Sequence, residues 1–392
     1  MTFEVNPNEF IQALNRVSAA VERNKENPTI GHVLLNTGGG QCTMRATDYF
    51  VEITTAVSCQ GEMPPIVLPA ERLQNVMARM ADRGIARFER GPGDTIVITS
   101  GRMRQTLPTL EPASNFPTIA KGDIGATFTI DGKALSDLFE TCGFAIPSKD
   151  SRRPILEGLH IFGGDIKHFW PNHAASAPKL CAVATDGYKM MAREILADLP
   201  GDMPRIVLPK RAVEKLGRMV RDWSEVSIEI TDDRFVASFG PTRFVAKLLE
   251  GNYPDWWKAI PIIDPIISYD SDSLAQAIGN TYAAVRPDKR HSALTVTFGE
   301  DETSFDIRNE GATAAGSDAC HHSLLASRIP DFAIGYNPEY ALEVIDHFGA
   351  ETLQFAVVDG NSPTLLTCPN LDDRLAVLMP MRIGVIHGDA HQ

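Results

Sequence analysis

Two short segments of this 392-residue sequence carry side chains of the kinds that bind metals or catalyse reactions. The first is Cys320-His321-His322, whose sulfur and imidazoles are donors typical of a zinc site. Adjacent side chains on a strand point to opposite faces, and no second pair of ligands lies at a useful spacing. We interpret this run as ordinary strand or loop sequence, and we expect neither a metal nor a cofactor.

The second segment is Thr185-Asp186-Gly187, which could be a phosphate or metal loop, or could present Asp186 as the carboxylate of a hydrolase. A near-copy at Thr47-Asp48 lacks the glycine, which suits a structural turn better than catalysis. The sequence contains no GxxxxGK[ST], GxGxxG or HExxH motif, and no nucleophile, base and stabiliser converge. We therefore expect a protein that is not an enzyme, with the Asp186 hydrolase as the alternative.

The turn belongs to a longer run, CAVATDGYKMMAREI, from Cys181 to Ile195. An apolar segment enters the turn and a second one leaves it, as in two strands joined by a tight connection. The related run RATDYFVEITT lies at Arg45 to Thr55, which indicates an internal repeat. An apolar cluster, LMPMRI, lies near the end of the chain at 378–383 and indicates a surface for a partner.

The repeat extends over the whole chain. Strand-then-helix patterns open at Phe3, Phe128 and Ile267, and each third continues with a strand and a second helix. A proline is expected in the first turn of each second helix, at Pro69, Pro209 and Pro338. This order predicts an α+β fold of three similar domains, each with two helices on antiparallel sheet. We place the domains at 1–122, 123–262 with a loop insertion at about 163–179, and 263–392 with a carboxyl-terminal extension at 384–392.

Composition and charge limit the protein class. There is no apolar run of about eighteen residues and no signal-peptide pattern, so we expect a cytoplasmic protein without membrane contact. The six cysteines are scattered and form no CxxC pair, which predicts reduced, buried thiols. The formal net charge of −13 argues against a protein coated by nucleic acid, but it leaves room for a local basic patch.

Several helices divide into an apolar face and a basic face. In the first helix, Phe10, Leu14 and Val17 fall on one side and Arg16 on the other. A solvated helix face is the simplest interpretation of one such stripe. Because the stripe recurs in an acidic protein, we favour a shared basic surface that binds an anionic polymer through its phosphates, without base readout.

The threefold module, VATDGYK, IVLPKRAV, KLLEGNYPDWWKAIP and the terminal LMPMRI together resemble the bacterial β sliding clamp family. That resemblance implies three similar domains per chain, closing as a head-to-tail dimeric ring of six domains around duplex DNA. It implies a processivity factor of DNA replication, the β subunit of DNA polymerase III. The implied partners are double-stranded DNA, the replicative polymerase, the clamp loader, other proteins with a clamp-binding motif, and a second copy of the chain.

The resemblance also implies three sets of site residues. The partner-peptide pocket comprises Leu156, Thr185, Gly187, Tyr188, Lys189, Met190, Pro261, Pro363, Val377, Met379, Pro380, Met381 and Arg382. The DNA-facing residues are Arg16, Arg23, Lys25, Arg72, Arg79, Lys149, Arg152, Arg153, Lys210, Arg211, Lys215 and Arg218. The dimer interface comprises Arg104, Gln105 and Leu107 against Ala284 and Val285.

Departures from the family pattern keep an alternative open. Gln105 is polar and Ala284 is small where the family usually has larger apolar side chains, so the ring could be looser. A monomeric peptide-binding scaffold that does not encircle DNA would also fit the chain. The extension at 384–392 could be a disordered tail, or could fold over the pocket and compete with partners.

Overall fold

A computed structural model describes residues 1–22, 24, 26–110, 112–120, 122–147, 152–167, 179–286, 293–308, 314–326 and 329–383. Six α-helices lie in these ranges: α1 (Pro7–Ser18), α2 (Ala70–Met80), α3 (Gly132–Gly143), α4 (Lys210–Val220), α5 (Ser271–Ala283) and α6 (Pro338–Phe348). Within the same ranges, no helix combines the length and the apolar character needed to cross a membrane.

The strands fall into three runs along the chain. The first run is β1 (Thr2–Val5), β2 (His32–Gly38), β3 (Gln41–Thr47), β4 (Val51–Glu62), β5 (Ile66–Pro69), β6 (Ala86–Arg90), β7 (Thr95–Ser100) and β8 (Met103–Pro108). The second is β9 (Ile124–Ile130), β10 (Gly158–Gly164), β11 (Lys179–Thr185), β12 (Lys189–Ile195), β13 (Ile206–Pro209), β14 (Val226–Thr231), β15 (Arg234–Phe239) and β16 (Thr242–Lys247). The third is β17 (Ile267–Asp270), β18 (Leu294–Phe298), β19 (Glu302–Arg308), β20 (Ala315–His321), β21 (Ser323–Leu324), β22 (Ala333–Tyr336), β23 (Thr352–Ala356), β24 (Thr364–Cys368) and β25 (Leu371–Leu378).

The chain forms two compact units. The first contains Met1–Ser136, Pro200–Pro204 and Arg211–Leu248. Its twelve-stranded sheet runs in the order β8-β7-β6-β1-β4-β16-β15-β14-β9, and β3, β2 and β5 branch from β4. Strands β4 and β16 pair antiparallel, so the sheet joins strands from the first and the middle thirds of the sequence. Phe3 and Phe88 stack in its core, with ring centroids 4.5 Å apart.

The second unit contains Asp137–Leu199, Arg205–Lys210 and Leu249–Gln392. A nine-stranded sheet runs in the order β13-β10-β11-β12-β25-β24-β23-β17-β21, and a four-stranded sheet in the order β20-β19-β18-β22. Strands β12 and β25 pair antiparallel, so this sheet joins strands from the middle and last thirds. The α+β class with antiparallel sheets is confirmed; the three-domain boundaries stay a prediction.

Local signals in the sequence mostly place the helices correctly. Asn6 caps α1, because its Oδ1 accepts the backbone N–H of Asn8 at 2.9 Å, and Pro7 occupies the first turn. Pro338 likewise opens α6. The expectation for Pro69 and Pro209 is wrong, since each is the last residue of a strand and precedes its helix. A proline carbonyl can still pair in the ladder, while its missing N–H costs nothing at a strand end.

All six cysteines are free and buried, as the sequence predicts. Burial raises the pKa of Cys42 to about 12, with a smaller contribution from neighbouring Cys59. Burial likewise raises the pKa of Cys142 to about 12. These thiols are therefore protonated and unreactive at neutral pH.

Candidate functional site

The turn between β11 and β12 is built by two side chains that accept backbone hydrogen bonds. Asp186 Oδ1 accepts the N–H groups of Tyr188 at 2.8 Å and Lys189 at 2.9 Å. Thr185 Oγ1 accepts the N–H of Gly187 at 3.0 Å and donates to the carbonyl of Lys189 at 2.8 Å. Gly187 has a φ of 89°, a region that glycine enters without steric cost. The Thr-Asp-Gly signal therefore encodes a rigid turn.

The last strand of the chain lies beside this turn. In the β12–β25 ladder, Lys189 pairs with Leu378 and Met190 pairs with Val377. Beyond the ladder, the N–H of Met379 donates to the carbonyl of Tyr188 at 2.8 Å. The structure thus brings together the two segments that the sequence separates by almost 200 positions. We call the surface formed by 185–190 and 377–382 the candidate groove.

The candidate groove has an apolar floor and an exposed rim. Met190 and Val377 are almost fully buried in a cluster that also contains Trp256 and Ile260. Met379 is half-buried against that cluster. The rim is more open, because Tyr188 is 61% exposed and Met381 is 38% exposed. An apolar floor beneath exposed methionine and tyrosine side chains suits an apolar peptide anchor.

The remaining predicted pocket residues differ in burial and lie in several segments of the chain. Leu156 is buried in a short 3-10 helix, and Pro363 immediately precedes β24. Pro261 is half-buried and follows Ile260, a member of the apolar cluster. Pro380 is half-buried and Arg382 is exposed. All of these residues lie within the second compact unit.

The ammonium group of Lys189 forms ion pairs within the chain. Its Nζ lies 2.8 Å from Asp186 Oδ2, 3.0 Å from Glu343 Oε2 and 4.2 Å from the centroid of the Tyr340 ring. The side chain is only 7% exposed. Burial lowers the pKa of Lys189, but the hydrogen bonds and charges of Asp186 and Glu343 outweigh it and leave the pKa raised. Lys189 therefore holds the turn against α6 rather than offering a free cation.

Sequence reasoning missed four neighbours of the candidate groove. Tyr340 on α6 stacks on Tyr188, with ring centroids 5.9 Å apart, and Glu343 pairs with Lys189. Tyr253 and Trp257 pack partly buried against the apolar cluster. The motif NYPDWWKAIP contains the latter two, so its aromatic residues were a usable signal. The sequence around Tyr340 and Glu343 contains no feature that distinguishes them from other polar residues on a helix.

The predicted DNA-facing cations differ in their exposure to solvent. Arg72, Arg79 and Arg218 are exposed on their helices, Arg152 and Arg153 are exposed ahead of the 3-10 helix, and Arg16 is half-buried on α1. Arg23, Lys25 and Lys149 lie outside the residues that the structure describes, as do the core of the insertion, 168–178, and the extension, 384–392.

The ammonium groups of two lysines of α4 contact other groups of the same chain. Lys210 Nζ donates to the carbonyl oxygens of Ile146 at 2.9 Å and Pro147 at 3.5 Å. Lys215 Nζ lies 2.9 Å from Asp48 Oδ2. The Asp48 side chain is 1% exposed and also has Arg211 Nη1 at 3.6 Å. The helical stripe seen in the sequence is therefore partly an internal ion-pair network.

Asp48→Asn is expected to lower the free energy of unfolding by about 1–2 kcal/mol, because the amide loses the charge-assisted bond to Lys215. Burial raises the pKa of Asp48, but the bond from Lys215 and the N–H groups of Val51 and Phe50 outweigh it and lower the pKa. The ionised Asp48 carboxylate therefore adds to the free energy of unfolding above about pH 3.9, the pKa of an aspartate in the unfolded chain. This stabilisation is lost as the pH falls through the lower folded-state pKa of Asp48. Urea unfolding at pH 7 and pH 3 measures it, with exposed Asp82→Asn as the control. Equal losses at both pH values would contradict the ion-pair assignment.

The predicted interface residues lie at a sheet edge and at a helix end. Strand β8 is the outer strand of its sheet, and Arg104 and Gln105 on it are exposed. Leu107 is 5% exposed and Val285 is fully buried, so their side chains are already covered within the chain. Ala284 is exposed at the carboxyl-terminal cap of α5. An edge strand presents unpaired backbone groups to a partner strand.

The two segments considered for metal binding or catalysis, Cys320-His321-His322 and the turn containing Asp186, make structural contacts. Cys320 is buried while His321 is exposed, the alternation expected of neighbours on a strand. His322 Nδ1 lies 3.0 Å from Thr303 Oγ1. In the part of the chain that the structure describes, no group of three His, Cys, Asp or Glu side chains could hold a metal ion. Asp186 is committed to the turn and to Lys189.

Comparison with known proteins gives concordant matches. Residues 1–120 match the family model of the DNA polymerase III beta subunit, N-terminal domain, and residues 129–255 match that of its central domain. The beta sliding clamp of Caulobacter vibrioides is 27% identical over 387 residues, covering 95% of this chain and 98% of that protein. The beta sliding clamp of Pseudomonas aeruginosa is 26% identical over 390 residues, covering 98% and 100%.

Solved structures agree with the sequence matches. The DNA polymerase sliding clamp from Caulobacter crescentus superposes with a TM-score of 0.87 at 26% identity, covering 98% of this chain and all of that chain. The DnaN sliding clamp from Pseudomonas aeruginosa bound to griselimycin superposes with a TM-score of 0.85 at 26% identity and the same coverage. The similarity therefore spans essentially the whole of both chains.

Proposed function

The chain belongs to the family of bacterial β sliding clamps, the β subunits of DNA polymerase III, and from that premise we propose that it encircles duplex DNA and tethers the replicative polymerase to it. The observation that carries the proposal is the match over nearly the full length in both sequence and fold. In this role the chain catalyses no reaction; it acts in the cytoplasm as a processivity factor.

DNA would be held without sequence preference. Arg72 and Arg79 are seven residues apart on α2, hence on one face, and both are exposed. Exposed guanidinium groups attract phosphates through an electrostatic force that salt screens and that carries no base information. The whole chain has a net charge of −13, so its other surfaces are acidic on average and disfavour DNA. A ring held only in this way can slide.

Arg72→Glu combined with Arg79→Glu is expected to shorten retention on nicked circular DNA about fivefold and to reduce the salt dependence of loading, because phosphate contacts are lost. Retention after loading by the clamp loader is measured by gel filtration of labelled protein. Arg205→Glu, an exposed arginine just before β13, is the control. If the double variant is retained as long as the control, α2 does not face the DNA.

Ring closure requires a second copy of the chain. The free edge of β8 supports pairing with a neighbour, and Arg104 and Gln105 stand exposed along it. A dimer has twice the 42.8 kDa mass of one chain, which analytical ultracentrifugation resolves. Release upon linearising the DNA, with retention on the circle, distinguishes a closed ring from the monomeric scaffold. A purely monomeric species at micromolar concentration would overturn the ring.

Partner proteins would dock a short peptide with apolar anchors into the candidate groove. Its apolar floor and its open rim of Tyr188 and Met381 support this role. The polymerase, the clamp loader and other proteins with a clamp-binding motif would compete for it. Because a related clamp was solved with griselimycin, we propose that this chain takes the same ligand, whose competition with a partner peptide is measurable.

A further inference from the structure

The turn at 47–51 repeats three of the side-chain-to-backbone hydrogen bonds that build the turn of the candidate groove. Asp48 Oδ1 accepts the N–H groups of Phe50 at 3.0 Å and Val51 at 2.7 Å, as Asp186 does in the groove. Thr47 Oγ1 accepts the N–H of Tyr49 at 3.0 Å, as Thr185 does for Gly187. The scaffold that presents the candidate groove is therefore present a second time, in the first compact unit.

The neighbouring strand is repeated as well. In the β4–β16 ladder, Val51 pairs with Ala246, and beyond it the N–H of Lys247 donates to the carbonyl of Phe50 at 2.9 Å. The corresponding bond in the candidate groove joins Met379 to Tyr188 at 2.8 Å. Lys247 thus occupies the position of Met379, and Phe50 that of Tyr188.

The side chains on this second scaffold are exposed and one is strained. Tyr49 has a φ of 72°, the only positive φ at a non-glycine residue in the described ranges. This conformation is costly for a bulky side chain, and such strain concentrates at functional sites. Tyr49 is 41% exposed and Phe50 is 52% exposed. Tyr49 Oη accepts one exposed hydrogen bond, from Asn27 Nδ2 at 2.9 Å, and much of both aromatic side chains remains open to a partner.

Two exposed cations, Arg211 and Lys247, neighbour Phe50. The Arg211 guanidinium lies 4.9 Å from the centroid of the Phe50 ring, and its side chain is 47% exposed. Arg211 and Lys215 share one carboxylate, that of Asp48, so these three groups together carry one positive charge. Lys247 is exposed and adds a second. The local charge complements an acidic ligand.

We propose that Tyr49, Phe50, Arg211 and Lys247 form a second docking surface, which binds a partner-protein segment with an apolar residue flanked by acidic residues. The peptide class of ligand rests on the proposed function of the candidate groove, whose scaffold this surface repeats. Single-stranded nucleic acid fits less well, because it needs cations that follow successive phosphates.

Random twelve-residue peptides displayed on phage and selected on the full-length Met379→Ala, Met381→Ala variant test the proposal, since the candidate groove is weakened there. Selected peptides should be rich in acidic and apolar residues and should bind wild type and the selection variant equally in fluorescence anisotropy. Phe50→Ala should weaken them ten-fold or more. Tyr49→Gly should weaken them similarly. It removes the exposed hydrogen bond from Asn27 but relieves the positive φ, so we expect an unfolding midpoint close to that of wild type, and unfolding would then not explain the loss of binding.

The surface is refuted if no acidic, apolar peptide is selected, or if the selected peptides are indifferent to both Phe50→Ala and Tyr49→Gly. It is also refuted if Phe50→Ala abolishes binding of labelled oligo(dT) and changes no peptide affinity, which would make it a nucleic-acid surface. A parallel selection on wild type separates the two sites. If no peptide selected on wild type binds more weakly after Met379→Ala, the candidate groove is not a docking site. The proposal for the second surface would be unaffected by that result.

Discussion

Replacing Met379 and Met381 together with alanine is expected to weaken binding of a polymerase docking peptide by ten-fold or more, about 1.4 kcal/mol. Met379 is half-buried against the cluster of Met190 and Val377, and Met381 is 38% exposed at the rim. Truncation removes apolar area that an incoming anchor would cover, and burial of one such side chain contributes about 1.5–3 kcal/mol.

Isothermal titration of a synthetic peptide copied from the polymerase measures this effect. Leu196→Ala is the matched control, since Leu196 is 84% exposed just beyond the opposite end of β12 from Tyr188. The variant's unfolding midpoint reports whether the fold survives. An unchanged Kd in a folded double variant would remove the two methionines from the docking surface.

Lys189→Met is expected to lower the free energy of unfolding by about 2–3 kcal/mol, because it leaves the largely buried carboxylate of Asp186 without its cation. Asp186 still accepts two backbone N–H groups, which keeps the loss at the lower end for a buried pair. Glu343→Gln is the matched control. Its side chain is 49% exposed, so we expect a loss below about 1 kcal/mol.

The same ion pair predicts a pH dependence. The pKa of Lys189 is raised in the folded state, so its contribution is fully present below the unfolded-state pKa of about 10.4. It is lost as the pH rises through the higher folded-state pKa. Denaturant unfolding at pH 8 and at pH 11 should therefore show the difference between wild type and Lys189→Met narrowing at alkaline pH. A difference that stays constant would mean that Lys189 acts through packing alone.

Much of the fold was predictable because its signals are local. Asn6 caps α1 through a side-chain bond two residues along the chain, and Thr185-Asp186-Gly187 builds its turn from contacts within five residues. The related pair Thr47-Asp48 is likewise visible in the sequence, and its side chains accept the corresponding backbone N–H groups. Helical periodicity correctly placed Phe10, Leu14 and Val17 on the buried face.

The roles of the charged side chains were less predictable from the sequence. Helical periodicity shows on which face of a helix a lysine or arginine lies, but it does not show which carboxylate pairs with it. Lys215 lies on the basic stripe of α4, yet it pairs with Asp48, 167 positions away. Lys189 lies in the turn of the candidate groove, yet it pairs with Glu343 on α6. A carboxylate that is buried captures the cation within reach, and that choice depends on packing across the sheet.

The sequence by itself determined the threefold module, the turn chemistry and the family resemblance, since each is encoded in neighbouring residues. Only the tertiary structure decided that β4 pairs with β16 and that β12 pairs with β25, so that each of these sheets joins two thirds of the chain. It also decided that both turns lie beside such a pairing, with Met379 next to one and Lys247 next to the other. Strand pairing is made by backbone hydrogen bonds between residues that are distant along the chain. Because every residue type has nearly the same backbone groups, the sequence does not show which strands pair.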